Sequence, residues 1–203
     1  MVAAAGANAI GLNFFRDSPR YVTIADALVI AHTLPPYVDP VGLFVNATPA
    51  VIRETALSIG IRTVQLHGEH TPELVQDLKD LNVVPAFSLK DEASVAAVIR
   101  FVSECRQLGR LPSAILVDAN VPDKFGGTGQ PAPWNFARAV VARCSVPVTL
   151  AGGLNPKNVA DAIRAVRPWG VDVASGVEVA PGRKEQFKVR QFVDAAVRAW
   201  RNK

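Results

Sequence analysis

A single aspartate, Asp118, stands directly after the short apolar run of residues 114–117. A run of this length and composition is typical of a buried strand in a parallel sheet. An α/β protein places a catalytic acid at the rim of its sheet in this way, here beside the glycine-rich loop 126–129 that includes Gly127. The alternative is that Asp118 caps a turn and the glycines form only a flexible connection.

Two further turns combine small residues at predicted strand ends: Gly152 with Gly153, and Ser175 with Gly176. Backbone amides that glycine exposes near a helix N-terminus, here predicted at Asn155, can bind an anion. In β/α barrels a phosphate pocket frequently follows the last two strands. The two turns therefore predict a phosphate site, and the alternative is that the glycines only permit tight turns.

Four polar residues near predicted strand ends are the remaining candidates. Arg20 could hold a carboxylate in a bidentate grip, or it could be a solvated surface residue. Gln65 and His67 share one face of their strand, so His67 is either a catalytic base or an imidazole bonded to its neighbours. Asp172 alternates with valines and is predicted to face the interior, where it needs a partner. That partner would be substrate or a structural polar network.

Helical patterns alternate with seven short apolar segments, which predicts parallel strands joined by right-handed crossovers. The predicted strands are 7–14, 41–45, 63–68, 83–89, 114–119, 147–151 and 171–174. No linker or change in composition divides the chain, so residues 1–203 are predicted to form one domain. Two architectures fit this alternation, an open doubly wound sheet and a β/α barrel.

Composition narrows the class of function. The chain has 203 residues, 49% of them hydrophobic, and a net charge of +4. Basic residues are scattered and not interleaved with aromatics, so we expect an anionic small molecule and no nucleic acid as the partner. No apolar run could cross a bilayer, and the N-terminus lacks the features of a signal peptide. Cys105 and Cys144 form no disulfide framework, which favours a reducing, cytoplasmic location.

With these residues laid out, the chain resembles the phosphoribosylanthranilate isomerase family of tryptophan biosynthesis over essentially its whole length. The segments that carry the resemblance are Ser18-Pro19-Arg20-Tyr21, Val41-Gly42-Leu43-Phe44-Val45-Asn46, Gln65-Leu66-His67-Gly68-Glu69, Leu116-Val117-Asp118, Gly126-Gly127-Thr128-Gly129 with Trp134, Leu150-Ala151-Gly152-Gly153-Leu154 with Asn158-Val159, and Asp172-Val173-Ala174-Ser175-Gly176-Val177-Glu178 followed by Gly182.

The resemblance implies the TIM (β/α)8 barrel and decides against the open sheet. It also implies an Amadori rearrangement of an N-linked ribose phosphate to a ketose, which requires no metal and no cofactor. An acid protonates the ring oxygen, a base then removes the proton on the adjacent carbon, and the enolamine tautomerises to the ketone. The partner is the phosphosugar-anthranilate substrate, and a homodimer or association with another enzyme of the pathway is compatible with the sequence.

The resemblance also implies roles for individual residues. Asp118 would be the general acid, Arg20 would bind the anthranilate carboxylate, and Asp172 and Gly127 would lie near substrate. The phosphate contacts would come from Gly152, Gly153, Ser175 and Gly176.

The family's base is a cysteine on the first strand, in a motif like Lys-Ile-Cys-Gly, and this sequence contains no such strand. Cys105 is predicted on the outer ring of helices, and Cys144 at the opposite face of the barrel. We therefore expect an N-terminally truncated barrel with seven of the eight strands and little isomerase activity.

Two other functions compete with this interpretation. Another phosphosugar barrel enzyme, such as an epimerase or an indole-forming synthase, would need metal ligands or catalytic lysines on strands. Lys90 is the one lysine predicted at a strand end. A barrel remnant that binds a phosphorylated ligand without turnover would be consistent with the absent base.

Overall fold

The computed structural model describes residues 1–119 and 134–201, in which a parallel sheet alternates with helices. The strands of that sheet are β1 (Ala9–Asn13), β2 (Asp39–Val45), β3 (Thr63–His67), β4 (Asn82–Ser88), β5 (Ile115–Asp118), β6 (Val148–Ala151) and β7 (Gly170–Val171). A short antiparallel hairpin follows, made of β8 (Glu178–Ala180) and β9 (Arg183–Lys184). The helices are α1 (Ile24–Thr33), α2 (Pro49–Ile59), α3 (Pro72–Asp77), α4 (Glu92–Gln107), α5 (Trp134–Arg143), α6 (Val159–Val166) and α7 (Gln186–Arg201).

The first four helices each begin directly after a residue whose type predicts a helix cap. Thr23, Thr48, Thr71 and Asp91 each accept a hydrogen bond from the backbone N–H three residues later. These caps satisfy an amide that would otherwise lack a partner in the first turn. Within residues 1–119 and 134–201, no helix has the length and apolar character needed to cross a membrane.

The strand order supports the barrel over the doubly wound sheet. The seven strands are neighbours in sequence order, β1 to β7, with no reversal. A doubly wound sheet reverses its strand order at a switch point, whereas a barrel wall does not. The ion pair between Arg20 after β1 and Glu178 after β7 shows that the sheet curls and brings its two ends together. In the described part of the chain, the outer edges of β1 and β7 pair with no other strand.

Two regions of the chain differ from the sequence prediction. The alanine-rich residues 1–6 predict the last turn of an α-helix, but they form a 3-10 turn, Ala3–Ala5, closed by Gly6 at φ 97°. The last strand of the sheet was predicted at 171–174 and is only Gly170–Val171. The chain then turns through the 3-10 segment Ser175–Val177 into the β8–β9 hairpin, which the sequence analysis did not predict. Short elements carry too few periodic positions to be recognised from hydrophobic pattern.

The buried core holds the carboxyl ends of the central strands in place. Ile115, Leu116 and Val117 of β5 are all buried, as are Val64 and Leu66 of β3. Because parallel strands bring their carboxyl ends to one edge, the polar residues that end β3 and β5 emerge on the same side.

Candidate active site

Asp118 ends β5 at the carboxyl edge of the sheet, opposite Ser88 in β4 and Ala151 in β6. Its carbonyl accepts a hydrogen bond from the Leu89 amide at 2.9 Å, so the backbone on this side is held. The side chain of Asp118 is not held in this way, because its buried Oδ1 atom has no hydrogen-bond partner among the described residues. A buried carboxyl oxygen without a donor is costly, so this atom is a candidate to accept a hydrogen bond from a ligand.

A cleft of about 500 Å³ opens beside Asp118, large enough for a ligand of drug-like size. We call it the acid cleft. Its walls come from the ends of β3, β4 and β5 and the loop after β3: His67, Gly68, Glu69, His70, Thr71, Ala86, Phe87, Ser88 and Asp118. The cleft therefore lies at the edge of the sheet where the sequence predicts the chemistry.

His67 lies in the acid cleft and contacts Gln65, as their shared strand face predicts. The His67 Nε2 and Gln65 Nε2 atoms are 2.7 Å apart, so the amide donates to the imidazole. Burial lowers the pKa of His67, and the negative charge of Asp118 partly opposes that shift. A neutral imidazole bonded to its neighbour agrees with the second interpretation of His67 given above.

The loop that carries His70 and Glu69 into the cleft is fixed by Asn46 at the end of β2. The Glu69 amide donates to Asn46 Oδ1 at 2.7 Å. Gly68 has φ 80°, and a Cβ there would lie 2.1 Å from the same oxygen. Glycine is therefore required at position 68 for this contact.

Asp172, which follows β7, lies close enough to Asp118 and Lys184 to interact with both charges. The residue is exposed to solvent, while the protein atoms near its carboxyl desolvate that group and raise its pKa. The charge of Lys184 opposes this shift, and the charge of Asp118 adds to it. Asp172 therefore lies near the acid, and its orientation toward the interior stays a prediction.

The two predicted phosphate turns lie against each other. Gly152 and Gly153 follow β6 with φ values of 93° and 62°. A Cβ on Gly176 would lie 1.9 Å from the Leu154 carbonyl oxygen, so the turn after β7 packs directly on the turn after β6. A Cβ on Gly153 would meet no atom within 4 Å, which leaves space beside that backbone. Ser175 is exposed next to Gly176.

The helix after Gly153 begins later than predicted. The sequence pattern places its start at Asn155, whereas α6 begins at Val159. Asn155 Oδ1 accepts from the Lys157 amide at 2.9 Å, and Asn158 Nδ2 donates to the Gly153 carbonyl at 3.0 Å. These side-chain bonds form a turn in place of the first helical residues, because Asn competes well for backbone groups.

Arg20 is placed at the same edge but is already bound to an acid. Its Nε lies 3.0 Å from Glu178 Oε1, and its Nη2 lies 2.6 Å from Glu178 Oε2. Lys184 Nζ also donates to Glu178 Oε1, at 2.9 Å, and to the Ala174 carbonyl, at 3.1 Å. We call Arg20, Glu178 and Lys184 the charge network. It connects the loop after β1 with the turn that contains Ser175.

Sequence reasoning missed two members of this network. Glu178 was noted only as part of a matching segment, and Lys90 was taken as the one lysine at a strand end. Lys184 lies across from Glu178 in the β8–β9 hairpin. The sequence shows that Glu178 and Lys184 carry opposite charges within one short segment. Without knowledge of the hairpin, it does not show that the two side chains make contact.

Two cysteines and one glycine are the remaining residues considered in the sequence analysis. Cys105 is buried in α4, and burial raises the pKa of its thiol to about 11. Cys144 precedes β6, and burial also raises the pKa of its thiol. Both thiols are protonated near neutral pH, so neither suits the role of base. Gly127 lies outside the described residues.

No metal site is evident in residues 1–119 and 134–201, where no three His, Cys, Asp or Glu side chains come together. The metal-dependent epimerase alternative therefore gains no support from the described part of the chain.

Comparison with known proteins identifies the family. The model of N-(5'-phosphoribosyl)anthranilate isomerase matches residues 1–195. A protein of that name from Trichlorobacter lovleyi is 40% identical over 196 residues, 96% of this chain and 90% of its own. One from Myxococcus xanthus is 43% identical over 192 residues, 95% of this chain and 87% of its own.

Solved structures agree with the sequence comparison. The crystal structure of phosphoribosyl anthranilate isomerase from Thermotoga maritima has a TM-score of 0.83 at 35% identity, covering 97% of this chain and 91% of that one. A second structure, in complex with reduced 1-(o-carboxyphenylamino)-1-deoxyribulose 5-phosphate, has a TM-score of 0.82 at 33% identity, covering 97% and 90%. The chain therefore belongs to the N-(5'-phosphoribosyl)anthranilate isomerase family.

Proposed function

We propose that the acid cleft, the phosphate turns and Arg20 form the site at which N-(5'-phosphoribosyl)anthranilate rearranges to its 1-deoxyribulose 5-phosphate isomer. The observation that carries the proposal is the buried Asp118 Oδ1, which has no donor among the described residues and belongs to a carboxyl that lines the acid cleft. Family membership and the ligand of the second solved structure support the same substrate class.

In this proposal Asp118 is the general acid. It gives its proton to the ribose ring oxygen as the bond from that oxygen to the anomeric carbon breaks, and the nitrogen lone pair forms the iminium ion. A base then takes the proton from the adjacent carbon, which gives the enolamine and, after tautomerisation, the ketone. No atom is gained or lost, so two positioned proton-transfer groups are sufficient.

The other groups bind the ends of the substrate. The phosphate lies on the amides of the turns that contain Gly152, Gly153, Ser175 and Gly176, where open space beside Gly153 admits it. Arg20 takes the anthranilate carboxylate, and Asp172 lies near the sugar. Arrangement of these groups at one edge allows a single ligand to span them.

We further propose that residues 1–203 form a single β/α-barrel domain with seven of the eight strands, and that the eighth strand, which carries the base, belongs between β1 and β7. Within the described residues, neither outer edge pairs with another strand, and β1 makes only an isolated bridge from Asn13 to Tyr21, which supports this position. Neither Cys105 nor Cys144 is a substitute, because each lies away from the acid cleft and has a raised pKa.

The test compares turnover of this purified chain with that of a version extended upstream by a strand bearing the cysteine. We expect little turnover from the first and turnover from the second that is lost on Asp118→Asn. Equal turnover by both forms would show that the base lies within this chain.

The proposed setting is a cytoplasmic enzyme acting on a small molecule, with a homodimer as the candidate assembly. One of the similar solved structures describes the Thermotoga maritima isomerase as dimeric. Light scattering on the purified chain, at several concentrations, distinguishes a dimer from a monomer.

A further inference from the structure

Glu178 is the most fully bonded charged group in the candidate site. Its side chain is only 4% exposed, and both of its oxygens accept hydrogen bonds. Besides Arg20 and Lys184, the Gly182 amide donates to Oε1 at 3.1 Å. A buried carboxylate with this many donors has little freedom to move, so whatever it holds is held in one orientation.

Arg20 is held along one edge and free along the other. A guanidinium presents five N–H groups in a planar fork. Glu178 occupies the edge formed by Nε and Nη2. Nη1 makes no hydrogen bond to any residue in the described part of the chain, and the Arg20 side chain keeps 31% of its exposure. The Nη1–Nη2 end can therefore still receive a second carboxylate.

The backbone of Arg20 is also fixed. Ser18 Oγ accepts from the Arg20 amide at 3.1 Å and from Asn13 Nδ2 at 3.1 Å. Asn13 is the last residue of β1, so this chain of contacts ties Arg20 to the sheet. Both ends of the Arg20 side chain are thus positioned before any ligand arrives.

We propose that Glu178 is a positioning residue, which turns the Nη1–Nη2 end of Arg20 toward the aromatic carboxylate of the ligand and so sets specificity for carboxylated substrates. This inference rests on the proposed function. Its physical basis is preorganisation, because an arginine already fixed in its binding rotamer loses less conformational entropy when the ligand binds. Lys184 supplies the second cation that keeps Glu178 charged and in place.

Glu178 also ties the loop after β1 to the hairpin after β7, so a purely structural role must be distinguished. Loosening a structural tie would weaken binding of every ligand at the site. Loss of positioning would weaken binding only of ligands that carry the carboxylate. The two roles therefore predict different ratios of affinity for a matched pair of ligands.

The experiment is isothermal titration calorimetry on the full chain with two probes. One is the reduced 1-(o-carboxyphenylamino)-1-deoxyribulose 5-phosphate of the related complex. The other is the same molecule without its carboxyl group. We expect the wild type to prefer the carboxylated probe by about 100-fold, which is the range of a charge-assisted bidentate contact.

Glu178→Gln is expected to reduce that preference about tenfold while leaving affinity for the decarboxylated probe unchanged. Arg20→Gln should abolish the preference, and the double variant should behave like Arg20→Gln alone, because the two residues act as one unit. Glu92→Gln removes a surface partner of Arg143 and serves as the control, with no expected change in either affinity.

Equal weakening of both probes by Glu178→Gln, or an unchanged preference, would overturn the inference and leave the proposed function standing. Binding of neither probe by the folded wild type would remove the proposed function and the inference together. If Glu178→Gln does not fold, Glu178→Asp replaces it in the experiment, because that variant keeps the negative charge but shortens the side chain by one methylene. Glu178→Asp is expected to lose preference for the carboxylated probe in the same selective way. An unchanged preference in Glu178→Asp would equally overturn the inference.

Discussion

The acid cleft and the charge network lie at one edge of the same sheet, yet their polar groups are satisfied to opposite degrees. In the cleft, Asp118 Oδ1 is buried without a donor among the described residues. In the network, the buried Glu178 accepts from Arg20, Lys184 and the Gly182 amide. The difference indicates different roles for the two regions. The carboxyl group in the acid cleft is available to react with a ligand, whereas the fully bonded charge network is rigid enough to hold one.

The network and the phosphate turns are also physically continuous. Lys184 bonds to the carbonyl of Ala174, directly before Ser175, while Gly176 packs on Leu154. Groups proposed to bind the carboxylate and the phosphate therefore share one rigid frame, which is separate from the lining of the acid cleft. This contrast can be tested by changes that should affect chemistry alone, folding alone or pH dependence alone.

The largest effect is expected from Asp118→Asn. In a form of the chain that turns over, kcat should fall by about 10³-fold, because amide cannot donate the proton that opens the sugar ring. The melting temperature should stay the same or rise, since the variant replaces a carboxyl whose buried Oδ1 has no donor among the described residues. Steady-state kinetics and thermal unfolding check the two parts. If stability fell together with activity, Asp118 would have a structural role like that of the charge network, and the contrast between the two regions would fail.

Gly176→Ala should destabilise the fold by about 3 kcal/mol, because the new Cβ would lie 1.9 Å from the Leu154 carbonyl oxygen and the backbone must shift. Gly153→Ala is the matched comparison, with positive φ but open space, and should cost about 1 kcal/mol. Urea unfolding measures both. Equal costs would show that the two turns do not pack as described.

The Glu178 carboxylate should make stability depend on pH in acid. Its hydrogen bond with Arg20, followed by that with Lys184, lowers the pKa of Glu178 from an ordinary 4.5 to about 2, against the effect of burial. Because the folded pKa is below the unfolded one, this stabilisation is complete above pH 4.5. It is lost as pH falls through 2.

The loss is on the order of 3 kcal/mol by linkage. Unfolding free energy measured from pH 5 to 2 should therefore fall more steeply for the wild type than for Glu178→Gln. Parallel curves would mean that Glu178 is not held by the two cations in solution.

The smallest effect is expected from Glu92→Gln, which breaks the ion pair between Glu92 and Arg143 at 2.9 Å. Both side chains are largely exposed, so solvent screens the attraction and the change should be below about 0.5 kcal/mol. Urea unfolding provides the measurement. A cost comparable to that of Glu178→Gln would remove the distinction between the buried network and a surface pair.

Much of the frame could be predicted because its signals are local. Thr23, Thr48, Thr71 and Asp91 cap helices through bonds to amides three residues away, and apolar periodicity marks the strands between them. Asp118 could be recognised as a rim acid because it directly follows a buried strand. Asn155 misled the prediction, since its side chain forms a turn in competition with the helix.

The sequence by itself determined the alternation of elements, the edge at which polar residues gather and the family to which the chain belongs. Only the tertiary structure decided that Arg20 pairs with Glu178, 158 positions away, and that Lys184 joins them. The physical reason is that caps and periodicity arise from neighbours along the chain. The partner of a buried charge depends on how the sheet curls and which loops that curvature brings together.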